Sequence, residues 1–588
     1  MPPMDRCKRL CLIHVDAALS DAFSALGCEV LCLSPEPGAV LDLPAELSRH
    51  GFAPDLVLQQ ECLGLRQLVH GLHELDCVRL FWARDPHLNS FWQAAYARLF
   101  DLTFSTQQRW LTDLRTLGAG QTLHLPWYAP QEPFTPFAER QRVAGFVGRL
   151  GHSRPARTWL VELLREALPG GFEACEDLDF HAMLAFYRTT RLAPNESITG
   201  EVNFRLFEAA GCGCVVLAQD LGEEQAALFE PGREMIVCAD ALELLDAAQM
   251  LAARPRLAEA LGRAAWERVQ AHHLPLARAQ RILEAAANAT RQGADASQSR
   301  RWLALTQAGL LEAGRFVPGG TSGHDIAQAL RELDVPLPSG EPDELVLAAR
   351  LRVANALGHR AETIELLARC REAASLGLPL ALTCSMAALR LSLGANPANH
   401  RQEQTGDGQE LLGHGLALAS HFARRADVAL PEGGPAHPVA LLLAWAERLG
   451  PDSPRQDSPP RRGGFSFEPA HHLPASAMEC LFLATALEPG DVDVLRRLDA
   501  AYALEPGNDA LRLGALSELG LRARGDWRVG LATGLCDLRV FRPGAGLSEL
   551  SLAAADAQAR GETEAFALAL AAADPSGRIR RALAAANA

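Results

Sequence analysis

Asn195-Glu-Ser-Ile-Thr199-Gly200-Glu-Val-Asn203-Phe-Arg205-Leu-Phe-Glu208-Ala-Ala-Gly-Cys-Gly213-Cys-Val-Val-Leu-Ala-Gln-Asp220 is the stretch of this 588-residue chain whose reading decides the fold. A polar loop leads into a short helix at 204–210, a glycine turn stops it, and an apolar strand follows at 215–218. A loop that opens a helix offers backbone N–H groups and the positive end of the helix dipole, a combination suited to a diphosphate. Thr199 and Gly200 sit where those donors belong.

Upstream of this stretch, short apolar runs at 10–15, 29–33, 55–59, 78–82, 102–105 and 122–125 alternate with amphipathic segments. That alternation is the pattern of βα units and a mainly parallel sheet. A second series of strands is expected at 143–148, 191–194, 215–218 and 235–238, closed by helices at 242–252, 256–271 and 276–287. The fold class is therefore α/β followed by all-α. The expected division is one Rossmann-like lobe at 1–135, a second at 136–292, and a helical region at 293–588.

The helical region is Ala/Leu-rich, with helical spacing at 344–356, 359–374 and 439–449, and loop-like composition at 394–408 and 450–474. Its pentapeptide Ala-Leu-Glu-Pro-Gly occurs at 486–490 and again at 503–507. The offset is half of a 34-residue helix-turn-helix unit, and Pro-Gly stops a helix, so a tetratricopeptide-like array is expected, with a generic helical bundle as the alternative. Arg461, Arg462, His471 and His472 read as solvated loop residues.

A net charge of -15 argues against general affinity for nucleic acid or anionic membrane, because phosphate binding is driven by clustered Lys and Arg. No apolar run approaches the roughly 20 residues needed to span a bilayer, and the run at 10–15 is too short for a signal-peptide core. The cytoplasm is the expected location. The 14 cysteines form no C-x-x-C pair, so buried thiols rather than a zinc site are expected.

Arg205, Phe207, Glu208, Ala209, Cys212 and Gly213, continued by Phe229-Glu-Pro-Gly-Arg-Glu234, resemble the retaining GT-B glycosyltransferases of the family-four kind, in particular their CgeB-like branch. The resemblance implies that Glu208 receives the ribose hydroxyls of a sugar nucleotide. The family's other glutamate would fall eight positions earlier, at Gly200, with Glu201 displaced by one. Gly148-Arg149-Leu150, with Arg154 and then Arg157, looks like the family's Gly-Arg-Leu strand end and basic follower. Arg149 and Arg154 would offset charge on the leaving diphosphate without a metal. The implied donor-binding set is Gly148, Asn195, Thr199, Gly200, Asn203, Arg205 and Glu208.

In the first lobe, the segment 81–89 resembles the strand-end loop that faces the donor sugar in this fold. Asp85 and His87 are its candidates for acceptor activation or for contact with the transferred sugar. Ser105 with Thr106, and Pro126 with Trp127 and Tyr128, resemble end-of-lobe segments, and the aromatics read as hinge residues. Asp-x-Asp triplets at 177–179 and 491–493 are read as chance matches to a metal motif.

The resemblance implies transfer of a sugar from a nucleoside diphosphate, expected to be a UDP-sugar such as UDP-GlcNAc, with retention and with no further cofactor. A tetratricopeptide-like array suggests a protein acceptor, for example a flagellin, because such arrays cradle extended peptides. A glycan or small-molecule acceptor, a helical scaffold with an inactive transferase half, and a sugar-nucleotide epimerase are the competing readings. On this reading, deletion of 300–588 is expected to spare donor hydrolysis while weakening transfer to protein.

Overall fold

The computed structural model describes residues 8–336, 341–393, 406–450, 473–504 and 507–586, apart from Leu63, Ser153 and Ala294. The loops expected at 394–408 and 450–474, with Arg461, Arg462, His471 and His472, lie largely outside the described residues, as do Glu505 and Pro506. The chain divides into two compact units. One combines residues up to Pro126 with Ala279–Pro489, the other Trp127–Arg278 with the chain from Gly490 onward.

The first unit begins with β1 (Arg9–Ile13), β2 (Glu29–Leu33), β3 (Val40–Asp42), β4 (Leu56–Gln60), β5 (Leu68–His70), β6 (Val78–Ala83), β7 (Leu102–Ser105) and β8 (Thr122–His124). Six of them form one sheet in the order β2-β1-β4-β6-β7-β8, while β3 and β5 pair separately. All pairings are parallel. All five residues of β4 are buried, as a strand covered on both faces requires. Below the sheet, Phe81 stacks on Phe100 with ring centroids 5.4 Å apart and meets the edge of Tyr96 at 5.3 Å.

A buried ion pair explains why the chain returns to this unit after the helix Pro275–Asn288. Arg79 and Asp101, with side chains 4% and 0% exposed, meet at 2.6 Å. Asp101 also accepts the Gln292 amide at 2.6 Å, and Arg79 donates to the Gln292 carbonyl at 2.5 Å. Loss of either partner would leave a buried charge uncompensated, so the pair and this strap depend on each other. The helices Ala296–Glu312 and Gly323–Leu333 follow, adding Ala304, Ala308, Ile326 and Leu330 to the core of the first lobe.

The second unit contains β9 (Arg142–Val147), β10 (Phe172–Cys175), β11 (Thr190–Asn195), β12 (Val215–Gln219) and β13 (Ile236–Cys238). They form a parallel sheet in the order β10-β9-β11-β12-β13. Its helices start where local chemistry permits. Pro155 and Pro255 stand at first helical positions, and the Asp240 side chain accepts the Glu243 amide at the head of Ala241–Ala253.

Helices from the far end of the chain complete this unit. Val492–Ala503, Asp509–Arg522, Trp527–Arg539 and Pro543–Ala559 each lie against the next. The two Ala-Leu-Glu-Pro-Gly copies end Ala477–Leu487 and Val492–Ala503. Leu495, Leu516, Val529 and Val540 pack on Ala156 and Trp159 of the helix Pro155–Ala167. Phe541 enters the lobe's own core beside Val215 and Leu217, and Arg578 meets Asp246 at 2.9 Å.

This shared core bears on the deletion of 300–588 expected to spare donor hydrolysis while weakening transfer to protein. Removing 300–588 would strip apolar partners from Ala156, Trp159 and the Val215–Leu217 core, so the remaining lobe would present that surface to water. A chain ending at residue 489 is expected to aggregate or lose its cooperative melting transition. Leu516→Ala, at a site 1% exposed, should cost about 2–5 kcal/mol in urea denaturation. A soluble 1–489 fragment with native near-ultraviolet dichroism would show that the second lobe does not need these helices.

Candidate active site

The carboxyl ends of β9 and β11 converge on one guanidinium. Arg205, in the second position of the helix Phe204–Gly211, donates from Nε to the Val147 carbonyl at 3.0 Å. Its Nη1 donates to Asn195 Oδ1 at 3.0 Å and to the Glu196 carbonyl at 3.3 Å. The guanidinium carbon lies 4.4 Å from the centroid of the Phe146 ring. A Cβ at Gly148 would stand 2.8 Å from Arg205 Nη2, so the glycine makes room for the guanidinium. Gly148, Asn195 and Arg205 are thus brought together, and Asn203 joins them by donating from Nδ2 to the Glu196 carbonyl at 3.0 Å.

Glu196, which sequence reading passed over, is the electrostatic centre of this group. Its side chain is 3% exposed and accepts from Arg157 Nε at 2.9 Å, where the arginine side chain is 7% exposed. Arg157 also donates to the Arg149 carbonyl at 3.1 Å, fixing the loop that follows β9. The Arg149 side chain itself is 74% exposed and stands 3.7 Å from Asp177. Arg154 is half-buried, and burial followed by the fields of Arg157 and Arg149 pulls its guanidinium below the usual range. Among the described residues, Arg154 Nε and Asn203 Oδ1 are buried atoms with no hydrogen-bond partner. Orphaned buried polar atoms at the mouth of a parallel sheet mark a place for a polar ligand.

The loop between β11 and the helix is braced from within. Glu201, 7% exposed, accepts the Thr199 amide at 2.8 Å, the Ser197 hydroxyl at 2.8 Å and the Ile198 amide at 3.2 Å. The Thr199 hydroxyl adds a contact at 3.2 Å to the same carboxylate. The Thr199 N–H is therefore directed at Glu201, and Gly200 lies directly against Gly507, since a Cβ built on Gly507 would fall 2.2 Å from the Gly200 nitrogen. Glu208 is half-buried one turn after Arg205, on a helix whose Leu206, Phe207, Ala209 and Ala210 are fully buried.

Asp85 and His87 belong to the first unit, at the carboxyl end of β6. Asp85 precedes the helix Pro86–Ala97, and its side chain makes no cap hydrogen bond; His87 is 7% exposed. The Asp85 and Arg84 amides donate to Glu61 at 3.2 and 2.7 Å, and Gln93 Nε2 joins them at 2.7 Å. Burial raises the Glu61 carboxyl above the usual carboxylate range against the pull of these donors. Glu61 is a second residue that sequence reading missed, although its place directly after β4 was a usable signal. The two Asp-x-Asp triplets have local duties: Asp179 caps Phe180–Arg188 and Asp491 caps Val492–Ala503. Trp127 and Tyr128 stack at 4.6 Å, and Trp127 also meets Phe204 at 4.6 Å.

Breaking the Glu196 pair has a definite consequence. Arg157→Ala leaves a buried carboxylate without its counter-charge and is expected to cost about 3–5 kcal/mol in urea denaturation, whereas Arg157→Met with Glu196→Leu should recover most of that loss. An unchanged midpoint for the single variant would mean that the pair holds nothing.

A family model described as glycosyl transferase-like matches residues 142–284. No curated protein matches the chain. Among solved structures, a sucrose-phosphate synthase from Thermosynechococcus elongatus aligns with 16% identity over 47% of this chain and 97% of its own, at a TM-score of 0.34. Anabaena Alr3699/HepE in complex with UDP and glucose aligns with 13% identity over 48% and 100% of the two chains, at 0.33. A glycosyltransferase from Rickettsia africae aligns with 11% identity over 48% and 98%, at 0.36. The region matched by the glycosyl transferase-like family model, residues 142–284, is the one that gathers Gly148, Asn195, Asn203 and Arg205.

Proposed function

We propose that this protein is a glycosyltransferase that moves a sugar from a nucleoside diphosphate, a UDP-sugar in our reading, to an acceptor hydroxyl. The observation that carries the proposal is that the region matched by the glycosyl transferase-like family holds Arg154 Nε and Asn203 Oδ1, buried without partners among the described residues, at the carboxyl edge of a parallel sheet. In the reaction the bond from the anomeric carbon to the diphosphate oxygen breaks with its electron pair leaving on the diphosphate, and the acceptor oxygen forms the new bond with retention as its proton passes to the departing diphosphate or to a first-lobe base. Arg149 and Arg154 offset the charge left on the diphosphate, in place of a metal, and Glu208 accepts hydrogen bonds from the ribose hydroxyls. In the first lobe, Asp85 or His87 assists the acceptor or contacts the transferred sugar.

The acceptor in this reading is a protein, such as a flagellin, held by helices of a tetratricopeptide-like kind. Supporting it is a cavity of 860 Å³ in the first unit, lined by His70 and Arg98 of the lobe and by Arg300, Trp302 and Gln307 of the helix Ala296–Glu312. Arg98 lies 5.1 Å from the Trp302 ring centroid, a polar-aromatic wall against which a peptide or glycan can rest. We place the reaction in the cytoplasm, in keeping with the free thiols of the described cysteines. No helix among the described residues is long and apolar enough to cross a membrane.

A second reading, a helical scaffold with an inactive transferase half, is favoured by one observation: the Thr199 amide is directed at Glu201 and Gly200 lies under Gly507, so this turn is already engaged. Incubation with common UDP-sugars separates the two. Release of UDP is expected, and no turnover by the folded protein would favour the scaffold. Glu208→Ala should lower donor affinity or turnover by about tenfold or more while leaving the melting temperature in place. Unaltered donor kinetics in that variant would remove Glu208 from the ribose site.

A further inference from the structure

A cavity of 410 Å³ opens at the carboxyl ends of β12 and β13 and is closed on its other side by the C-terminal helices. Asp220 follows β12, and Asp240 stands just beyond β13. From the opposite side come Arg512 and Arg539, with Tyr502 and Phe541 between them. Arg512 is paired with Asp499 at 2.6 Å, and Arg539 with Asp509, which also lines the cavity, at 3.3 Å. Neither arginine therefore collapses onto Asp220 or Asp240. The strand-end wall offers acceptors, and the helix wall offers two guanidiniums with the Asp509 carboxylate beside them.

This cavity adjoins the candidate donor loop through two contacts. Gln219, in its lining, accepts the Ser197 amide on Oε1 at 2.9 Å. Gly507, also in its lining, lies so close to Gly200 that a Cβ would fall 2.2 Å from the Gly200 nitrogen and 2.6 Å from its Cα. The left-handed backbone of Gly507, φ 83°, lets the turn sit there. Whatever binds along 195–208 therefore has this cavity as its neighbour.

The chemistry of the walls selects the occupant. A phosphate would meet the carboxylates of Asp220 and Asp240, and a bare cation would meet the two guanidiniums. A neutral molecule with many hydroxyls satisfies both walls, since each hydroxyl donates to a carboxylate and accepts from a guanidinium. Burial lifts Asp240 above the usual carboxylate range, while Oδ1 of the same carboxylate accepts the Glu243 amide as a helix cap at 2.9 Å. The volume suits one or two sugar rings and excludes a polymer strand from full entry.

We propose that this cavity receives the hexose of the sugar nucleotide, and that residues of the C-terminal helices, Arg512 and Arg539, help determine which hexose is accepted. The proposal rests on the donor reading of the second lobe. It assigns the helices beyond residue 490 a part in donor choice, separate from any role in holding an acceptor.

The test compares binding of UDP, UDP-glucose and UDP-GlcNAc to the full-length protein by calorimetry, with Asp220→Asn, Arg539→Gln and the double variant. Asn keeps the acceptor that Asp220 offers to the Gly222 amide, and Gln is compatible with the last turn of the helix Trp527–Arg539. The expected result is a loss of affinity for the preferred UDP-hexose of about tenfold in each variant, an unaltered affinity for UDP, and an unaltered melting temperature. A changed ranking of the two UDP-hexoses in the double variant would further support the assignment. If the wild-type protein binds UDP-hexoses and Glu208→Ala loses them, while the pocket variants discriminate as before, the proposal falls and the donor reading stands. If the wild-type protein binds none of the three, both fall.

Discussion

The guanidinium of Arg205 is the constraint on which the second lobe's site depends. It lies on the Phe146 ring and donates to Val147, Asn195 and Glu196, so one rigid plane ties the ends of β9 and β11 to the start of the helix Phe204–Gly211. A lysine could supply the charge but not the fork of donors or the flat stacking face. Because Arg205 fixes the Glu196 backbone, the Glu196 side chain is presented to Arg157, and Arg157 in turn holds the Arg149 carbonyl. The loop after β9 thus inherits its position from a side chain on another segment.

Much of the fold was legible because a parallel sheet covered on both faces leaves continuous apolar runs. The runs at 29–33 and 102–105 coincide with β2 and β7, and 344–356 with a helix. The strands left unread were short or half-exposed: Val40–Asp42, Leu68–His70 and the edge strand Phe172–Cys175, whose Phe-Glu-Ala-Cys sequence is buried only in part. Gly148, Asn195, Asn203 and Arg205 are singled out through the resemblance to a family motif, and the structure brings them together at the ends of β9 and β11. The Arg157–Glu196 pair was not legible, since its members are 39 residues apart and only the tertiary fold makes them neighbours. Nor was the placement of the C-terminal helices. An apolar stripe of Leu and Ala states that a helix must be covered, not which surface covers it.

Positions 200 and 201 sit in different backbone settings, which suit a glycine at the first and a carboxylate at the second. Position 200 has a left-handed backbone, φ 75°, and lies against Gly507, a setting hostile to a long side chain. One position later the carboxylate turns back onto Ser197, Ile198 and Thr199 and stiffens the loop. Glu201 thus serves as a brace for the loop, and the adjoining cavity is lined by Asp220, Asp240 and residues of the C-terminal helices.

The interleaving of the two units along the chain has a consequence for synthesis. The chain leaves the first unit at Pro126 and re-enters it at Ala279, and it reaches the second unit's remaining helices only after Pro489. During translation the sheet of the second lobe emerges before the helices that cover Ala156 and Trp159 exist, and the Arg79–Asp101 pair waits for Gln292 to arrive. Neither unit can mature in simple vectorial order, as contiguous domains do. The residues 279–489 are made between the sheet of the second lobe and the helices that cover it, so that sheet stays half-covered until the chain beyond 489 has been synthesised.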